Sequence, residues 1–301
     1  MTILLTGSTG FLGSALLPLL LDVGWDVTTL GRKPPRLEHP HLHYVQTDFG
    51  SGIADVPVAW DKVDAVLHLA AAGVKSSRRK WPEAVDFNVV GTQRLLEMVA
   101  ARASRRPVFV MARAFYEHMV QQSPGLLENP YIATKRAAAD LVRIWSVCYP
   151  GPVALATVFQ VYGPGDDSAN VLPYAARSFA QGSRAEFGSG RGRRDWVFIE
   201  DAARAFMAVL DCAATSPWNG LREYDIGTGQ LRTIRGMIEE LAQIAGVDPA
   251  AACDFDASRD RPDADIVLAA AKRPAEWVPR IGTPEGLGAL WQSHLKGIAK
   301  P

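Results

Sequence analysis

Thr2-Ile3-Leu4-Leu5-Thr6-Gly7-Ser8-Thr9-Gly10-Phe11-Leu12-Gly13 is the stretch whose reading decides the fold. Its first five residues form a short β-branched and aliphatic run, the pattern of a buried strand. Glycines follow at every third position, and the chain passes directly into an apolar helical stretch from Ser14 to Leu21. Strand, glycine-rich turn and helix in succession make the phosphate-binding opening of a dinucleotide fold. Gly7 makes the tight turn, Gly10 admits backbone N–H groups to a pyrophosphate, and Gly13 lets helix and strand pack closely. The helix N-terminus, at Phe11 and Leu12, places partial positive charge where phosphates sit.

The next segments extend this pattern. Trp25 to Leu30 reads as a second strand, closed by Gly31-Arg32-Lys33-Pro34-Pro35. In such a fold this loop meets the adenosine ribose, and an acid near Leu30 would hold both ribose hydroxyls and favour NAD. Arg32 and Lys33 stand there instead, and a guanidinium suits a 2′-phosphate. NADP is the expected cofactor and NAD the alternative, although two solvated loop charges would read the same way. Leu42 to Gln46 is a third strand, followed by Asp48-Phe49, where an acid reaches the adenine amino group. Ala65 to Leu69 is a fourth, and the small residues after it, Ala70 and Ala71, let a cofactor lie against the backbone beside Leu69. His68 reads as a packed strand residue.

Trp81 through Ala103 reads as one long helix, with Phe87, Val90, Leu95, Met98 and Val99 at helical spacing. Asn88 falls inside it, and a polar amide in an apolar stretch needs a partner. Pro107 to Met111 is a fifth strand. Asn129 as N-cap and Pro130 at the first helical position start a helix that runs to about Tyr149. Val153 to Phe159 is a sixth strand. The alternation predicts a Rossmann-like, doubly wound parallel sheet covered on both faces. The remainder is richer in loops, with glycine and arginine clustered from Gly188 to Arg194 and a strand and helix from Trp196 to Cys212. The division expected is a dinucleotide domain over 1–162, with returning segments near 194–232, and a smaller discontinuous substrate lobe over 163–301.

Composition bounds the partners. The 301 residues are 48% hydrophobic and 21% charged, an ordinary globular balance, and 32 basic residues offset 32 acidic ones. That balance argues against a nucleic-acid binder relying on bulk positive charge. Cys148, Cys212 and Cys253 are odd in number and show no metal-ligand spacing, which suits a reducing cytoplasm better than a disulfide framework or a metal site. No signal peptide is legible before the first strand and no apolar run reaches membrane-spanning length. Apolar faces around Leu95 and Leu141 suit either a homodimer or core against the sheet.

Tyr131 and Lys135 are the candidate catalytic pair. Four residues apart on a helix, they project from one face. A phenol is normally too weak an acid to exchange protons at neutral pH. A neighbouring ammonium and an oxidised nicotinamide favour the phenolate. Tyr131 then accepts a proton from a carbinol during hydride removal, or gives one to a carbonyl during reduction.

These residues also carry a resemblance. With His68-Leu69-Ala70-Ala71, Asn88-Val89-Val90-Gly91-Thr92, Tyr131-Ile132-Ala133-Thr134-Lys135, Tyr162-Gly163-Pro164-Gly165, Asn170-Val171-Leu172-Pro173, Arg194-Asp195-Trp196-Val197-Phe198 and Arg261-Pro262-Asp263, the chain resembles an extended short-chain dehydrogenase/reductase. The group is that of the NAD-dependent epimerases and dehydratases, which act on sugar nucleotides. The resemblance implies a cofactor lobe using Asn88, Tyr131 and Lys135 beside the glycine turn. It also implies a substrate lobe in which Gln160, Asn170, Val171, Arg194 and Arg261 lie near a nucleoside diphosphate; arginine forks match diphosphate oxygens.

Departures from the family pattern narrow the expectation. The family's Ser or Thr just after the fifth strand falls on Ala112, which cannot donate a hydrogen bond; Ser76 and Ser77 are candidates to replace it. The dehydratases' Asp-Glu pair falls on Arg113 and Ala114, which disfavours loss of water, and a family asparagine is replaced by Gln160. The expected activity is 4-ketoreduction or epimerisation of a nucleoside diphosphate sugar. The alternatives are reduction of a non-nucleotide carbonyl compound and a cofactor-binding regulatory protein with impaired catalysis.

Overall fold

The computed structural model describes residues 1–49, 56–74, 80–216, 218–260 and 269–298. In chain order the elements begin with β1 (Thr2–Thr6), α1 (Phe11–Asp22), β2 (Asp26–Gly31), β3 (Leu42–Gln46) and β4 (Ala65–His68). Then come α2 (Trp81–Ala84), α3 (Gly91–Arg102), β5 (Val108–Ala114), α4 (Tyr116–Met119), α5 (Pro130–Cys148) and β6 (Pro152–Val158). The later part holds β7 (Gln160–Tyr162), α6 (Val171–Ala180), β8 (Ala185–Phe187), β9 (Arg193–Phe198), α7 (Ile199–Thr215) and β10 (Gly220–Ile226). It ends with β11 (Leu231–Thr233), α8 (Ile234–Ile244), α9 (Pro249–Ala252), β12 (Cys253–Phe255) and α10 (Thr283–Ile298).

Two compact units divide these elements. The first comprises Met1–Val158, Ala203–Ile226 and Lys272–Trp277. Its seven strands form one sheet in the order β10-β6-β5-β4-β1-β2-β3, every neighbouring pair parallel. All of β4 and the last four residues of β1 are buried, as a parallel sheet covered on both faces requires. Strand order reverses between β1 and β4, and in such sheets ligands bind outside the strand carboxyl ends at this switch point. The core on one face gathers Leu4, Phe49, Leu95, Phe109, Val142 and Leu155. Leu95 is therefore core rather than a docking face.

The sheet is the doubly wound one expected. The long helix expected over 81–103 is instead interrupted by a π-helical segment, Val85–Val90, between α2 and α3. Within it, the buried Asn88 amide bonds sideways to other segments, and the Thr92 hydroxyl donates to the Asn88 carbonyl at 2.6 Å. The seventh strand, β10, lies within the segments expected to return near 194–232 but was not named as a strand, because its half-exposed run Gly-Leu-Arg-Glu-Tyr-Asp-Ile lacks the apolar pattern of a central strand.

The second unit comprises Phe159–Ala202, Gly227–Ala271 and Val278–Pro301. It holds a three-stranded sheet, β11-β9-β7, and the pair β12-β8, with α6, α8 and α10 packed on one another. Buried carboxylates clamp its loops. Asp195 accepts the N–H groups of Thr228 (2.7 Å), Gly229 (2.8 Å) and Ala270 (2.9 Å) and the Thr228 hydroxyl (2.7 Å). Asp201 accepts those of Arg280 and Ile281.

Candidate active site

At the carboxyl end of β1 the turn leaves no room for side chains. Gly7 has φ +76°, and a Cβ there would lie 2.6 Å from the Ala70 nitrogen. A Cβ on Gly13 would lie 2.1 Å from the Gly7 carbonyl oxygen. Turn, first helix and the end of β4 thus meet backbone to backbone. Gly10 occupies the N-cap position of α1 without a side chain to cap it, so the leading N–H groups near Phe11 and Leu12 receive no side-chain partner from that position. A cradle that a Cβ would fill, at a helix N-terminus, fits the phosphates of a dinucleotide.

The adenosine side is laid out by β2 and β3. Arg32 is exposed and its guanidinium lies 5.5 Å from the centre of the Phe87 ring. Asp48 is half-buried after β3, whereas the Phe49 ring is wholly in the core, 5.6 Å from Phe87.

Behind the turn runs a chain of buried hydrogen bonds. Thr6 Oγ1 and His68 Nδ1 are 2.8 Å apart, and His68 Nε2 and Thr92 Oγ1 are 2.9 Å apart. Asn88 Oδ1 accepts the Ala72 N–H at 2.7 Å, and Asn88 Nδ2 donates to the Ala72 carbonyl at 3.1 Å and to Thr134 Oγ1 at 2.9 Å. The Thr134 hydroxyl donates to the Pro130 carbonyl at 2.6 Å. Asn88 thus ties the end of β4, at Leu69, Ala70, Ala71 and Ala72, to the first turns of α5. Burial, and secondarily the Lys135 charge, push His68 down to about 3, so its imidazole is neutral. Reading the sequence for single motifs missed this chain, although Thr6, His68, Thr92 and Thr134 all lie within the motifs quoted above.

Tyr131 and Lys135 sit on α5, whose start is fixed by Asn129: its side chain accepts the Tyr131 N–H at 3.1 Å. Tyr131 is half-buried, while Lys135 is buried and its Nζ donates to the Ala112 carbonyl at 2.7 Å. Burial pushes Lys135 down to about 8; Glu117 opposes that shift and Arg113 adds to it. Ala112 offers this lysine its backbone oxygen, and its side chain has no hydroxyl to place beside Tyr131. Arg113 turns into an ion-pair cluster. Its Nε donates to Glu117 at 2.8 Å, with side chains 4% and 0% exposed, and its Nη1 donates to Glu223 at 3.2 Å. The second Glu117 oxygen accepts the Ala114 N–H at 2.9 Å. Glu117 was unnoticed in the sequence: Arg113 lies on β5 and Glu117 on α4, so no helical spacing announces the pair. Ser76 and Ser77 lie outside the described residues.

In the second unit, Gln160 opens β7 and Val171 opens α6. Asn170 is exposed and its amide donates to Asp166 at 2.7 Å, while burial raises Asp166 to about 6. Arg194 is 7% exposed on β9 and donates to the Arg193 carbonyl at 3.0 Å. Arg261 lies outside the described residues.

A glycine turn at the switch point of a parallel sheet, with tyrosine and lysine at i,i+4 after the fifth strand, defines an extended short-chain dehydrogenase/reductase. The NAD dependent epimerase/dehydratase family matches residues 3–227, and the chain belongs to that family of enzymes. A dTDP-glucose 4,6-dehydratase of Neisseria gonorrhoeae is 27% identical over 332 aligned positions, 97% of this chain and 95% of the relative. A GDP-6-deoxy-D-mannose reductase of Pseudomonas aeruginosa is 28% identical over 77% of this chain and 82% of its own. In fold, the chain matches UDP-glucuronic acid 4-epimerase from Bacillus cereus, in complex with UDP-glucuronic acid and NAD. The TM-score is 0.79, with 22% identity across 98% of this chain and 99% of that one. Solved structures of this fold hold NAD in some cases and NADPH in others. Among the described residues, no helix is long and apolar enough to cross a membrane.

Proposed function

We propose that the protein is an NAD(P)-dependent enzyme that reduces or epimerises the 4-position of a nucleoside diphosphate sugar. The observation that carries this is the bridge from Asn88 to Ala72 and Thr134, which joins the end of β4 to the helix bearing Tyr131 and Lys135. The turn Gly7, Gly10, Phe11, Leu12 and Gly13 would hold the pyrophosphate, and Leu69, Ala70 and Ala71 the face beside it. Arg32, Asp48 and Phe49 would lie on the adenosine side. When bound, a nicotinamide supplies or takes up the hydride at the sugar carbon. Tyr131 gives its phenolic proton to the carbonyl oxygen as it becomes an alkoxide, or takes the proton back in the reverse sense. Lys135 keeps a positive charge beside that phenol and lowers the cost of its phenolate form. Gln160, Asn170, Val171, Arg194 and Arg261 would bind the nucleoside diphosphate.

Relatives of this chain include dehydratases, but its own residues speak against dehydration. Loss of water needs an acid and a base at the end of β5, and there Ala114 has no ionisable group while the Arg113 guanidinium is committed to Glu117. Arg32 supports NADPH and so net reduction. A non-nucleotide carbonyl substrate is the second reading, favoured by Gln160 in place of the family's asparagine.

The test begins with the nicotinamide released on denaturation, followed by titration of the emptied protein with NADPH and NADH. Reduction predicts an empty site preferring NADPH, and epimerisation predicts retained NAD. Tyr131→Phe is expected to slow turnover of a 4-keto sugar nucleotide about 10²–10⁴-fold with cofactor affinity unchanged. Equal turnover in the variant removes Tyr131 from the mechanism, and failure to bind either cofactor overturns the whole reading.

A further inference from the structure

We propose that His68 is a positioning residue, its imidazole held as the single Nε2–H tautomer between Thr6 and Thr92 to fix the separation of the two strand-end walls of the dinucleotide crevice. Proton counting along the chain sets the tautomer. The Thr92 hydroxyl has one proton and gives it to the Asn88 carbonyl at 2.6 Å. Its oxygen must then accept from His68 Nε2, 2.9 Å away. Nδ1 is left as an acceptor for the Thr6 hydroxyl at 2.8 Å, and the Thr6 oxygen accepts the Ala70 N–H at 3.2 Å. The opposite tautomer is tolerable at Thr6, whose oxygen has two lone pairs, but fails at Thr92, where Nε2 would compete with the Asn88 carbonyl for the one hydroxyl proton.

Position gives this chain its consequence. Thr6 is the last residue of β1, directly before Gly7, and His68 is the last of β4, directly before Leu69 and Ala70. One imidazole therefore spans the two strands between which the sheet order reverses. Thr92 stands in the first turn of α3, immediately after the π-helical segment, and passes the constraint to Asn88. From there it reaches Ala72 on one side and Thr134, beside Tyr131 and Lys135, on the other. All five side chains, from Thr6 to Thr134, are 2% exposed or less, so water offers no substitute partner for any of them.

This inference rests on the crevice being a cofactor site, and the experiment separates the two. Long-range ¹H–¹⁵N spectra of the labelled protein at neutral pH read the His68 tautomer, its signals identified by their loss in His68→Asn. Fluorescence titration with NADPH and NADH gives dissociation constants for the wild type, Thr92→Val and Thr92→Ser. Titrations run well below each melting temperature, where a merely stabilising role leaves affinity unchanged. The expected results are a proton on Nε2 alone, about tenfold weaker cofactor binding in Thr92→Val, and recovery to within about twofold in Thr92→Ser. A proton on Nδ1, or on both nitrogens, overturns the proposal; that reading needs no variant and stands even where Thr92→Val fails to fold. Wild-type affinity in a folded Thr92→Val overturns it as well. If the wild type binds neither cofactor, the cofactor reading falls and the positioning role with it, whatever the tautomer.

Discussion

At the carboxyl ends of β1 and β4 the buried polar groups are neutral, whereas at the carboxyl end of β5 they are charged. The first region uses Thr6, His68, Thr92 and Asn88, each spending its protons on a specific acceptor. The second uses Arg113 and Glu117, a fully buried ion pair, with Glu223 at its rim and the Lys135 ammonium nearby. Neutral networks hold a geometry with little electrostatic reach. Buried charges also act on groups they do not touch, because the medium around them screens weakly. The crevice proposed for the cofactor is built from the first kind of material. The end of β5, at Ala112, Arg113 and Ala114, is built from the second.

The contrast breaks most sharply at Glu117. Replacing it by Gln leaves the Arg113 guanidinium buried with only the half-exposed Glu223 to balance it. Removing one partner of a buried pair costs about 3–5 kcal/mol, which a urea midpoint shift at unchanged m-value would register. The double variant Arg113→Met/Glu117→Leu is expected to recover most of that loss, since apolar replacements avoid the desolvation of both charges. If Glu117→Gln alone is neutral, the pair is not a structural unit.

In the neutral region the corresponding break is Gly13→Ala. The added methyl meets the Gly7 carbonyl oxygen at 2.1 Å, and both sides of that contact are backbone. Overpacking of this kind costs about 1–3 kcal/mol, and the displaced turn should bind neither NADPH nor NADH at wild-type strength. An Ala variant that melts and binds as the wild type does would show the turn to be more pliable than its packing suggests.

How legible each region was in the sequence follows from the same difference. Gly7, Gly10 and Gly13 are read from spacing, because each answers a local steric demand within a few residues. The sheet was legible for a similar reason, since buried parallel strands are continuous apolar runs; β10, at the sheet edge with Arg222, Glu223 and Asp225, was not. Asn88 was legible only as a polar residue in need of a partner. That its partners are Ala72 and Thr134, 16 and 46 residues away, depends on tertiary packing. Glu117 was harder still. Its meaning depends on Arg113 being turned inward, and no periodicity announces that.

The exposed edge of the cofactor region offers a smaller effect. Arg32 directly follows β2, its guanidinium over the Phe87 ring. Arg32→Ser is expected to lower the preference for NADPH over NADH about tenfold, near 1.4 kcal/mol, through the NADPH constant alone. Equal loss for both cofactors would assign Arg32 to the shared part of the dinucleotide, and no loss would leave it a surface charge.

Lys135 joins the two regions, and its effect is best read as a slope. Burial pushes it down to about 8 from the usual 10.5, against the pull of Glu117. Below about pH 8 folded and unfolded chains both hold the proton, and the fold carries the whole cost of a buried ammonium. Above that the folded chain releases the proton while the unfolded chain keeps it up to about 10.5, so the unfolded state binds more protons and stability rises with pH. Lys135→Met lacks the group. The wild type should therefore gain on the variant by at most about 1.4 kcal/mol per pH unit across this window, measured by urea unfolding at successive pH values. If Lys135 supports Tyr131 as proposed, turnover should fall over the pH range in which stability rises. A difference that stays flat from about pH 7 to 10 would mean that Lys135 holds its proton throughout. Glu117 would then outweigh burial, and the charged end of β5 would be what keeps the Lys135 ammonium charged.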